Sequence, residues 1–301
     1  MARPSVYVVV LNFNTRDATL QLIESLKRLV YPNVHIVVVD NGSKDNCAAV
    51  VSERWPEIKV FALPNNLGHG AGFNVGIRYA LDSGADYVLP INSDMVADPR
   101  LVDELVDVAE KDPSYGMIAS RIYVGAPPSD EVQYNGGHYS LWTGFSDGDN
   151  RGEHHGRDEM LELREVTFTP DCCLVPARVL RKIGLLDESL FCYSEDVDWS
   201  VRAIRAGYKI MMTPRAVIWH VEVRAVPNAW RYRMCTRNLF LVHWRYARWY
   251  HHLTAVPYIL LRWVLYMSFR EVLHRRWTEA AALWKGLIDA FRGRTGSAPR
   301  K

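Results

Sequence analysis

The sequence lacks the cysteine patterns that mark a disulfide framework or a zinc site. Its 301 residues hold five cysteines, an odd number, and none of them stands in C-x-x-C spacing. Cys172 and Cys173 are adjacent, which suits neither a set of disulfides nor a zinc knuckle. We therefore expect a protein of a reducing, cytosolic compartment.

Long apolar runs are missing as well. The first run, residues 6–11, is too short for the apolar region of a signal peptide, and Asn12 interrupts it. The most apolar later stretch, residues 253–269, contains Pro257 and Arg262, so it would span a bilayer poorly. The sequence thus predicts neither a signal peptide nor a transmembrane helix.

The small net charge of +2 hides an uneven distribution. Residues 224–301 hold 15 Lys and Arg against 3 Asp and Glu, a net charge of +12, whereas residues 1–223 hold 21 against 31, a net charge of −10. The acidic part suits metal ions and sugar hydroxyls. The basic part suits phosphate, on a lipid or on a nucleic acid.

The basic C-terminal region is helical in character from Trp230 onward and interleaves Arg with Trp and Tyr. Two interpretations stay open. One is an interfacial helix that rests on anionic lipid, which would bring a cytoplasmic protein to the inner face of the cell membrane. The other is a core helix pair or a subunit interface of a homo-oligomer.

Strand-like and helix-like patterns alternate in the first hundred residues. Apolar runs occupy residues 6–11, 34–39, 58–62 and 86–91, and helical spacing occupies residues 16–29 and 71–83. This order predicts a parallel sheet with helices on both faces. Further on, the patterns predict a long loop or short irregular sheet at 125–160, helices at 175–184 and 195–206, and a strand at 208–219.

Polar residues follow each of the four early strands. Because ligands of such sheets bind beyond the carboxyl ends of the strands, these residues are expected to share one site, although each could also serve a turn. They are Asn12 and Asn14, the run Asp40–Ser43, the run Asn65–Gly68, and Asn92, Ser93 and Asp94.

Three positions are candidates for metal chemistry. Asn92 and Asp94 are one residue apart, so on an extended segment they would point the same way and reach one divalent ion or one ribose. His220 closes a strand-like run and could return to the same edge to complete a metal site.

The run Glu195-Asp196-Val197-Asp198 opens a predicted helix. Ser194 or Glu195 could cap that helix, but capping does not explain three acids in four residues. Clustered carboxylates are candidates for a general base. Arg202 lies four residues after Asp198, a spacing that favours an ion pair.

The segments that carry these residues are VVVLNFN (8–14), VVVDNGSKD (37–45), PNNLGHGAGFNVGI (64–77), LPINSDM (89–95), GLLDESLFCYSEDVDWSVRAIRAGYKI (184–210), His220 and TRNLF (236–240). In this order they resemble family-2 glycosyltransferases of the GT-A fold, most of all the branch of rhamnosyltransferases and related polysaccharide or lipid-linked glycan enzymes. The resemblance covers about residues 5–240.

The resemblance implies an organisation of the chain. Residues 1–223 would form the α/β catalytic domain, with a nucleotide-sugar half at about 1–98 and an acceptor half at about 99–223. Residues 224–301 would form a basic, aromatic-rich helical region.

It also implies roles for individual residues. Asp40 would bond the nucleotide base beside Asn12 and Asn14. Asp94 and His220 would hold Mg2+ or Mn2+, and Asp196, with its neighbour Glu195, would act as general base. The remaining implied contacts to the nucleotide sugar are Asn66, Gly68, Asn74, Asn92 and Ser93, with Arg237 and Asn238 near the donor or acceptor channel.

Two positions depart from the family pattern. Asn92 replaces the first aspartate of the D-x-D metal motif, which removes one charge near the metal or ribose. Asp171-Cys172-Cys173 stands where relatives have small residues, in a segment expected to shape the acceptor or sugar pocket.

The predicted function is an inverting, metal-dependent transfer of a sugar, from dTDP-rhamnose or a UDP-sugar, to a glycan or lipid-linked acceptor. The alternatives are a non-catalytic nucleotide-binding relative and a protein that binds nucleic acid through the basic tail. No RNA-binding motif supports the latter, so no nucleic acid is expected. A nucleotidyltransferase fits poorly, because the segment after the first strand, residues 12–17, has no glycine.

Overall fold

The computed structural model describes residues 3–159, 161–170, 172–221 and 228–297. Within these ranges the chain forms a ten-stranded mixed sheet, a two-stranded hairpin and ten α-helices. The strands are β1 (Val6–Asn12), β2 (Val34–Asp40), β3 (Lys59–Ala62), β4 (Tyr87–Asn92), β5 (Met95–Ala97), β6 (Tyr115–Val124), β7 (Val132–Tyr134), β8 (Gly137–Tyr139), β9 (Ser146–Gly148), β10 (Arg164–Val166), β11 (Cys173–Pro176) and β12 (Lys209–His220).

The helices flank this sheet and continue beyond it at the C-terminus. They are α1 (Arg16–Leu26), α2 (Cys47–Arg54), α3 (His69–Asp82), α4 (Leu101–Ala109), α5 (Ala177–Ile183), α6 (Glu195–Arg205), α7 (Asn228–Tyr246), α8 (Trp249–Ile259), α9 (Tyr266–Leu273) and α10 (Trp277–Phe291). A 3-10 turn, Glu188–Leu190, precedes α6, and a π-helical segment, Leu260–Leu265, joins α8 to α9.

The large sheet has the order β10-β12-β6-β11-β4-β1-β2-β3, with β5 paired to β12 and β7 to β6. Neighbours β4, β1, β2 and β3 run parallel, as do β6 and β12, whereas β11 is antiparallel to both β4 and β6. The sheet is therefore mostly parallel on its N-terminal side, as the alternating pattern predicted.

The early strands are apolar along their length because helices cover both faces of the sheet. Residues 8–11 of β1 and 37–39 of β2 are buried. Glycines let α3 lie close to β1: a Cβ at Gly72 would stand 2.6 Å from Leu11 Cδ1. The predicted strands at 6–11, 34–39, 58–62 and 86–91 are confirmed within a residue or two.

Two predictions made from local pattern need correction or refinement. The helix expected at 175–184 begins only at Ala177, because Pro176 has extended backbone angles and belongs to β11, which completes the sheet between β4 and β6. For residues 125–160 the sequence left open a long loop or a short irregular sheet. The structure has the short irregular sheet, because β7, β8 and β9 lie within this region.

The C-terminal helices have a small apolar core of their own. Phe240, Ile259, Leu283 and Leu287 are buried together between α7, α8 and α10. In the same region the buried carboxylate of Glu271 accepts hydrogen bonds from tyrosine and arginine side chains, namely Tyr232, Arg270 and Arg276. The boundary expected at 223/224 lies outside the described residues.

The buried carboxylate of Asp198 links α6 to α7 through hydrogen bonds. Asp198 is 1% exposed, and its Oδ1 accepts from Arg245 Nη1 at 2.7 Å and from the Tyr246 hydroxyl at 2.5 Å. Its Oδ2 accepts from Arg202 Nε at 2.8 Å, so the ion pair expected from the spacing of the two residues is present. Asp198 is therefore a structural member of the acidic run.

Asp198→Asn should lower the free energy of unfolding by about 2–3 kcal/mol. This is less than the ~3–5 kcal/mol for a fully buried pair, because both arginines reach solvent. Chemical denaturation measures the change. The control is Asp17→Asn, whose side chain is 85% exposed beside Arg16 and should change stability by less than about 0.5 kcal/mol. Equal losses in the two variants would contradict the role assigned to Asp198.

Candidate active site

The polar strand ends meet at one edge of the sheet, but the segment after β4 is not extended. β4 ends at Asn92, the chain turns at Ser93 and Asp94, and β5 begins at Met95 in order to pair with β12. The expectation that Asn92 and Asp94 point the same way is therefore wrong. Asn92 Oδ1 lies 2.9 Å from His69 Nε2, whereas Asp94 faces His220.

Asp94 and His220 form a close pair at this edge. The pairing of β5 with β12 places His220 opposite Met95, and His220 Nε2 lies 3.1 Å from Asp94 Oδ2. The two side chains are 18% and 19% exposed, so solvent reaches both. The prediction that His220 returns to the same sheet edge is confirmed.

The other ring nitrogen of His220 explains how this pair could hold a metal ion. Nδ1 lies 2.9 Å from Gln133 Oε1, and an amide oxygen only accepts, so Nδ1 carries the hydrogen. In the neutral imidazole, the Nε2 lone pair then faces the Asp94 carboxylate. Two acceptors at this distance suit a shared cation, and an outer hydrogen bond of this kind commonly orients a metal-binding histidine.

Within the ranges that the structure describes, no group of three or more His, Cys, Asp or Glu side chains is placed to hold a metal ion. A cation at Asp94 and His220 would need further oxygen ligands from water or from a bound phosphate. Mg2+ in phosphate-transfer sites is commonly bound in this way, through one or two protein side chains.

Asn12 and Asp40 are buried and shape the loops after β1 and β2. Asn12 Oδ1 accepts from the Thr15 hydroxyl at 2.6 Å, and Asn12 Nδ2 donates to Ser43 Oγ at 3.0 Å. Asp40 Oδ1 accepts from Ser43 N at 3.0 Å. Nearby Asn14 has a positive φ of 56°, and its side chain accepts from the backbone N–H of residue 44. These contacts join the loops that follow β1 and β2 at the carboxyl edge of the sheet.

Asn41 organises the next loop, a role that the sequence alone did not indicate. Its Nδ2 donates to Asn66 Oδ1 at 3.1 Å and to the Gly68 carbonyl at 2.9 Å, and its Oδ1 accepts from Leu67 N at 2.9 Å. Gly68 has φ +100°, and a Cβ there would stand 2.7 Å from Phe191 Cδ2, so only glycine fits.

Two further predicted residues lie deeper. Asn74 is fully buried in α3, where its amide nitrogen donates to the Leu186 carbonyl and to Glu188, each at 2.9 Å. The Ser93 hydroxyl lies 2.7 Å from that of Thr15. Both side chains hold the walls of the site in place.

The start of α6 is not capped as the sequence suggested. Ser194 precedes the helix with φ +69°, instead of the extended angles usual for an N-cap residue, and makes no side-chain capping bond. Glu195 is buried, and its Oε1 lies 2.5 Å from His69 Nδ1. Asp196 is partly exposed, and its Oδ1 accepts from Val197 N at 2.8 Å. The three acids thus differ in environment.

The turn before α6 is strained and is held by α7. Phe191, Tyr193 and Ser194 all have positive φ, which is unfavourable for residues with a side chain. The buried amide nitrogen of Asn238 donates to the carbonyls of residues 190, 192 and 193 at 2.7–2.9 Å, and Arg237 Nη2 donates to the carbonyl of residue 190 at 3.0 Å. These two residues therefore support the turn that carries Glu195 and Asp196.

His69 is a further residue at this site that the sequence alone did not indicate. It begins α3, its backbone N–H donates to the Phe191 carbonyl at 2.5 Å, and its ring lies between Asn92 and Glu195. It stands inside the NNLGHG segment, but nothing local to that segment indicates that its ring reaches two other elements.

The adjacent cysteines lie in the core. Cys172 and Cys173 are almost fully buried, and the Ser120 hydroxyl donates to the Cys172 carbonyl at 3.1 Å. All five cysteines of the chain are free thiols. Asp171, the third member of the departing segment, lies outside the described residues.

The mostly parallel sheet, with its polar strand ends and the acidic helix beside them, has the architecture of the GT-A glycosyltransferases. A solved structure of GalNAc-T7 with UDP, GalNAc and Mn2+ has a similar fold, with a TM-score of 0.66 at 14% sequence identity. The similarity covers 96% of this chain and 57% of the GalNAc-T7 chain.

The sequence comparisons agree with this class. The model of glycosyl transferase family 2 matches residues 7–184, so the chain belongs to that family. An N-acetylglucosaminyl-diphospho-decaprenol L-rhamnosyltransferase of Mycobacterium tuberculosis is 26% identical, over 71% of this chain and 75% of the relative. A dTDP-rhamnosyl transferase of Shigella flexneri is 24% identical, over 72% of this chain and 69% of the relative.

Proposed function

We propose that this glycosyltransferase moves rhamnose from dTDP-rhamnose to a hydroxyl of a lipid-linked glycan, with inversion at the anomeric carbon. The observation that carries the proposal is the pair Asp94–His220 at the sheet edge, together with the connection from Asn92 through His69 to Glu195. A candidate metal site and a candidate base thereby lie at one edge of the sheet.

The choice of donor and acceptor rests on the relatives. Two of them, from different bacteria, are named as rhamnosyltransferases, one with dTDP in its name and one with a diphospho-decaprenol acceptor. These two relatives are 26% and 24% identical to this chain. Such an identity supports the class of the transferred sugar more than the identity of the acceptor. A UDP-sugar is the second candidate donor.

Asp94 and His220 would hold Mg2+ or Mn2+, with an imidazole ligand favouring Mn2+ slightly. When bound, the divalent ion supplies positive charge to the diphosphate leaving group. The chain's own contribution is to keep both ligands oriented, His220 through Gln133 and Asp94 through its carbonyl, which accepts from Val221 N at 2.9 Å.

Asp196 would act as general base. Its carboxylate is partly exposed at the first turn of α6, so it can meet an acceptor hydroxyl, whereas Asp198 is fully engaged in ion pairs. Removing the hydroxyl proton as the oxygen attacks the anomeric carbon makes the acceptor a better nucleophile. A single displacement from the side opposite the diphosphate inverts that carbon.

Asp196→Asn should lower kcat by about 10²–10⁴-fold, the usual contribution of a general base, while dTDP binding stays near that of the parent. Steady-state transfer assays and nucleotide titrations measure the two quantities. The matched control is Asp17→Asn, on the exposed face of α1. Near-full activity of the Asp196→Asn variant would exclude Asp196 as the base.

Metal-dependent nucleotide binding gives a second test. In a thermal-shift panel of dTDP, UDP, GDP and CDP, we expect dTDP to raise Tm only when Mn2+ or Mg2+ is present, since binding to the native state stabilises it. Asp94→Ala and His220→Ala should each remove this metal dependence. Stabilisation without metal would contradict the metal site, and no response to any nucleotide would favour a non-catalytic relative.

The described helices include none that is both long and apolar enough to cross a membrane. The rod formed by α8, the π-helical segment and α9 nevertheless presents to solvent an apolar row that extends to the first residue of α10. Its side chains are between 46% and 74% exposed. The apolar row consists of Trp249, Leu253, Leu261, Leu265, Phe269, Leu273 and Trp277, with exposed Pro257 at the remaining position.

The residues of the row recur every four positions. In an ordinary α-helix, each of them would be displaced around the helix axis by about 40° from the one before. The π-helical segment Leu260–Leu265 has a wider turn and offsets this drift over its own length, so the row winds gradually along the rod. Exposed Arg262 and Arg275 lie near the row. An apolar face bordered by arginines suits the surface of an anionic membrane, where a lipid-linked acceptor would reside.

Leu261→Glu should reduce binding to anionic phospholipid vesicles by at least about tenfold, because a leucine that is buried in lipid contributes roughly 1.5–3 kcal/mol. Co-sedimentation at low salt measures the binding. Val30→Glu is the matched control, since Val30 and Leu261 are 61% and 63% exposed. No binding by the parent protein would contradict the proposal, and self-association that Leu261→Glu abolishes would assign the row to a subunit interface.

A further inference from the structure

His69 joins the two halves of the proposed catalytic domain through three separate contacts. Its backbone N–H donates to the Phe191 carbonyl at 2.5 Å, in the strained turn before α6. Its ring Nδ1 lies 2.5 Å from Glu195 Oε1, and its Nε2 lies 2.9 Å from Asn92 Oδ1. The ring therefore spans the gap between the end of β4 and the first turn of α6.

The neighbourhood fixes the position of this ring. The Phe73 ring packs edge-on against it, with centroids 4.9 Å apart, and Gly68 lies directly against the backbone of Phe191. The Glu195 side chain is only 7% exposed, so the His69 ring is a close polar neighbour of a carboxylate almost removed from water. A buried carboxylate needs such a partner, because desolvation is costly for an unpaired charge.

We propose that His69 is a positioning residue for sugar transfer, which holds Asn92 and Glu195 at a fixed separation and thereby sets the place of Asp196 relative to the donor. This inference rests on the proposed function, in which Asp196 is the base. Glu195 and Asp196 are consecutive at the start of α6, so a shift of one moves the other. A displacement of about 1 Å at reacting groups can cost on the order of 10²-fold in rate.

The test compares His69→Phe with His69→Gln. Phenylalanine keeps a ring against Phe73 but removes both polar contacts, whereas glutamine restores a donor. We expect His69→Phe to lower kcat by about 10–100-fold with the KM for the nucleotide sugar within about threefold of the parent. His69→Gln should recover part of the lost kcat. The matched control is His35→Phe, since His35 is exposed and stacks on Tyr7 away from the sheet edge.

A double variant separates positioning from general loss of stability. If His69 acts through Glu195, then His69→Phe combined with Glu195→Gln should lose little more kcat than the worse single variant. Additive losses, or an unchanged kcat in His69→Phe, would overturn the proposal. Parent protein without any transferase activity would instead refute the proposed function, so the two failures are distinguishable. Tm, measured for every variant, shows whether a loss of kcat comes from unfolding, which would also count against positioning.

Discussion

The strained turn at residues 191–194 has to be held from outside, and the rest of the site depends on how this is done. Non-glycine residues with positive φ cost on the order of 1–3 kcal/mol each unless their surroundings impose that conformation. Here Asn238 and Arg237 bind the carbonyls of the turn, and Asp198 ties α6 to α7. The direction of α6, and with it the place of Asp196, is thereby set by a helix outside the sheet.

This arrangement gives the C-terminal helices two uses. α7 supports the turn at residues 191–194, and the rod that follows α7 carries the exposed apolar row. The loop at residues 140–146 lies against this helical region, since the Thr254 hydroxyl donates to the Trp142 carbonyl and a Cβ at Gly144 would stand 2.7 Å from Ile259. The exposed apolar row and the start of α6 thus belong to elements that pack against the same C-terminal helices.

The sequence predicted the strands, most helices and the set of polar strand ends because these depend on local pattern. Apolar runs such as residues 37–39 can lie only between two covering layers, and the polar residues that come after parallel strands gather at one edge of the sheet. The direction of Asn92 and the capping of α6 were predicted wrongly. Both depend on partners distant in the chain. The pairing of β5 with β12 requires the chain to turn at Ser93, and the Glu195 side chain contacts the His69 ring.

By itself the sequence determined the fold class, the family and the residue types available at the sheet edge, since these depend on periodicity and motif order. Only the tertiary structure decided which residues meet. It brought His220 to Asp94, buried Asp198 among arginines while leaving Asp196 partly exposed, and placed the ring of His69 between two elements. The physical reason is that side-chain contacts across a sheet edge are set by strand pairing and helix packing between segments far apart in sequence, which no local pattern records.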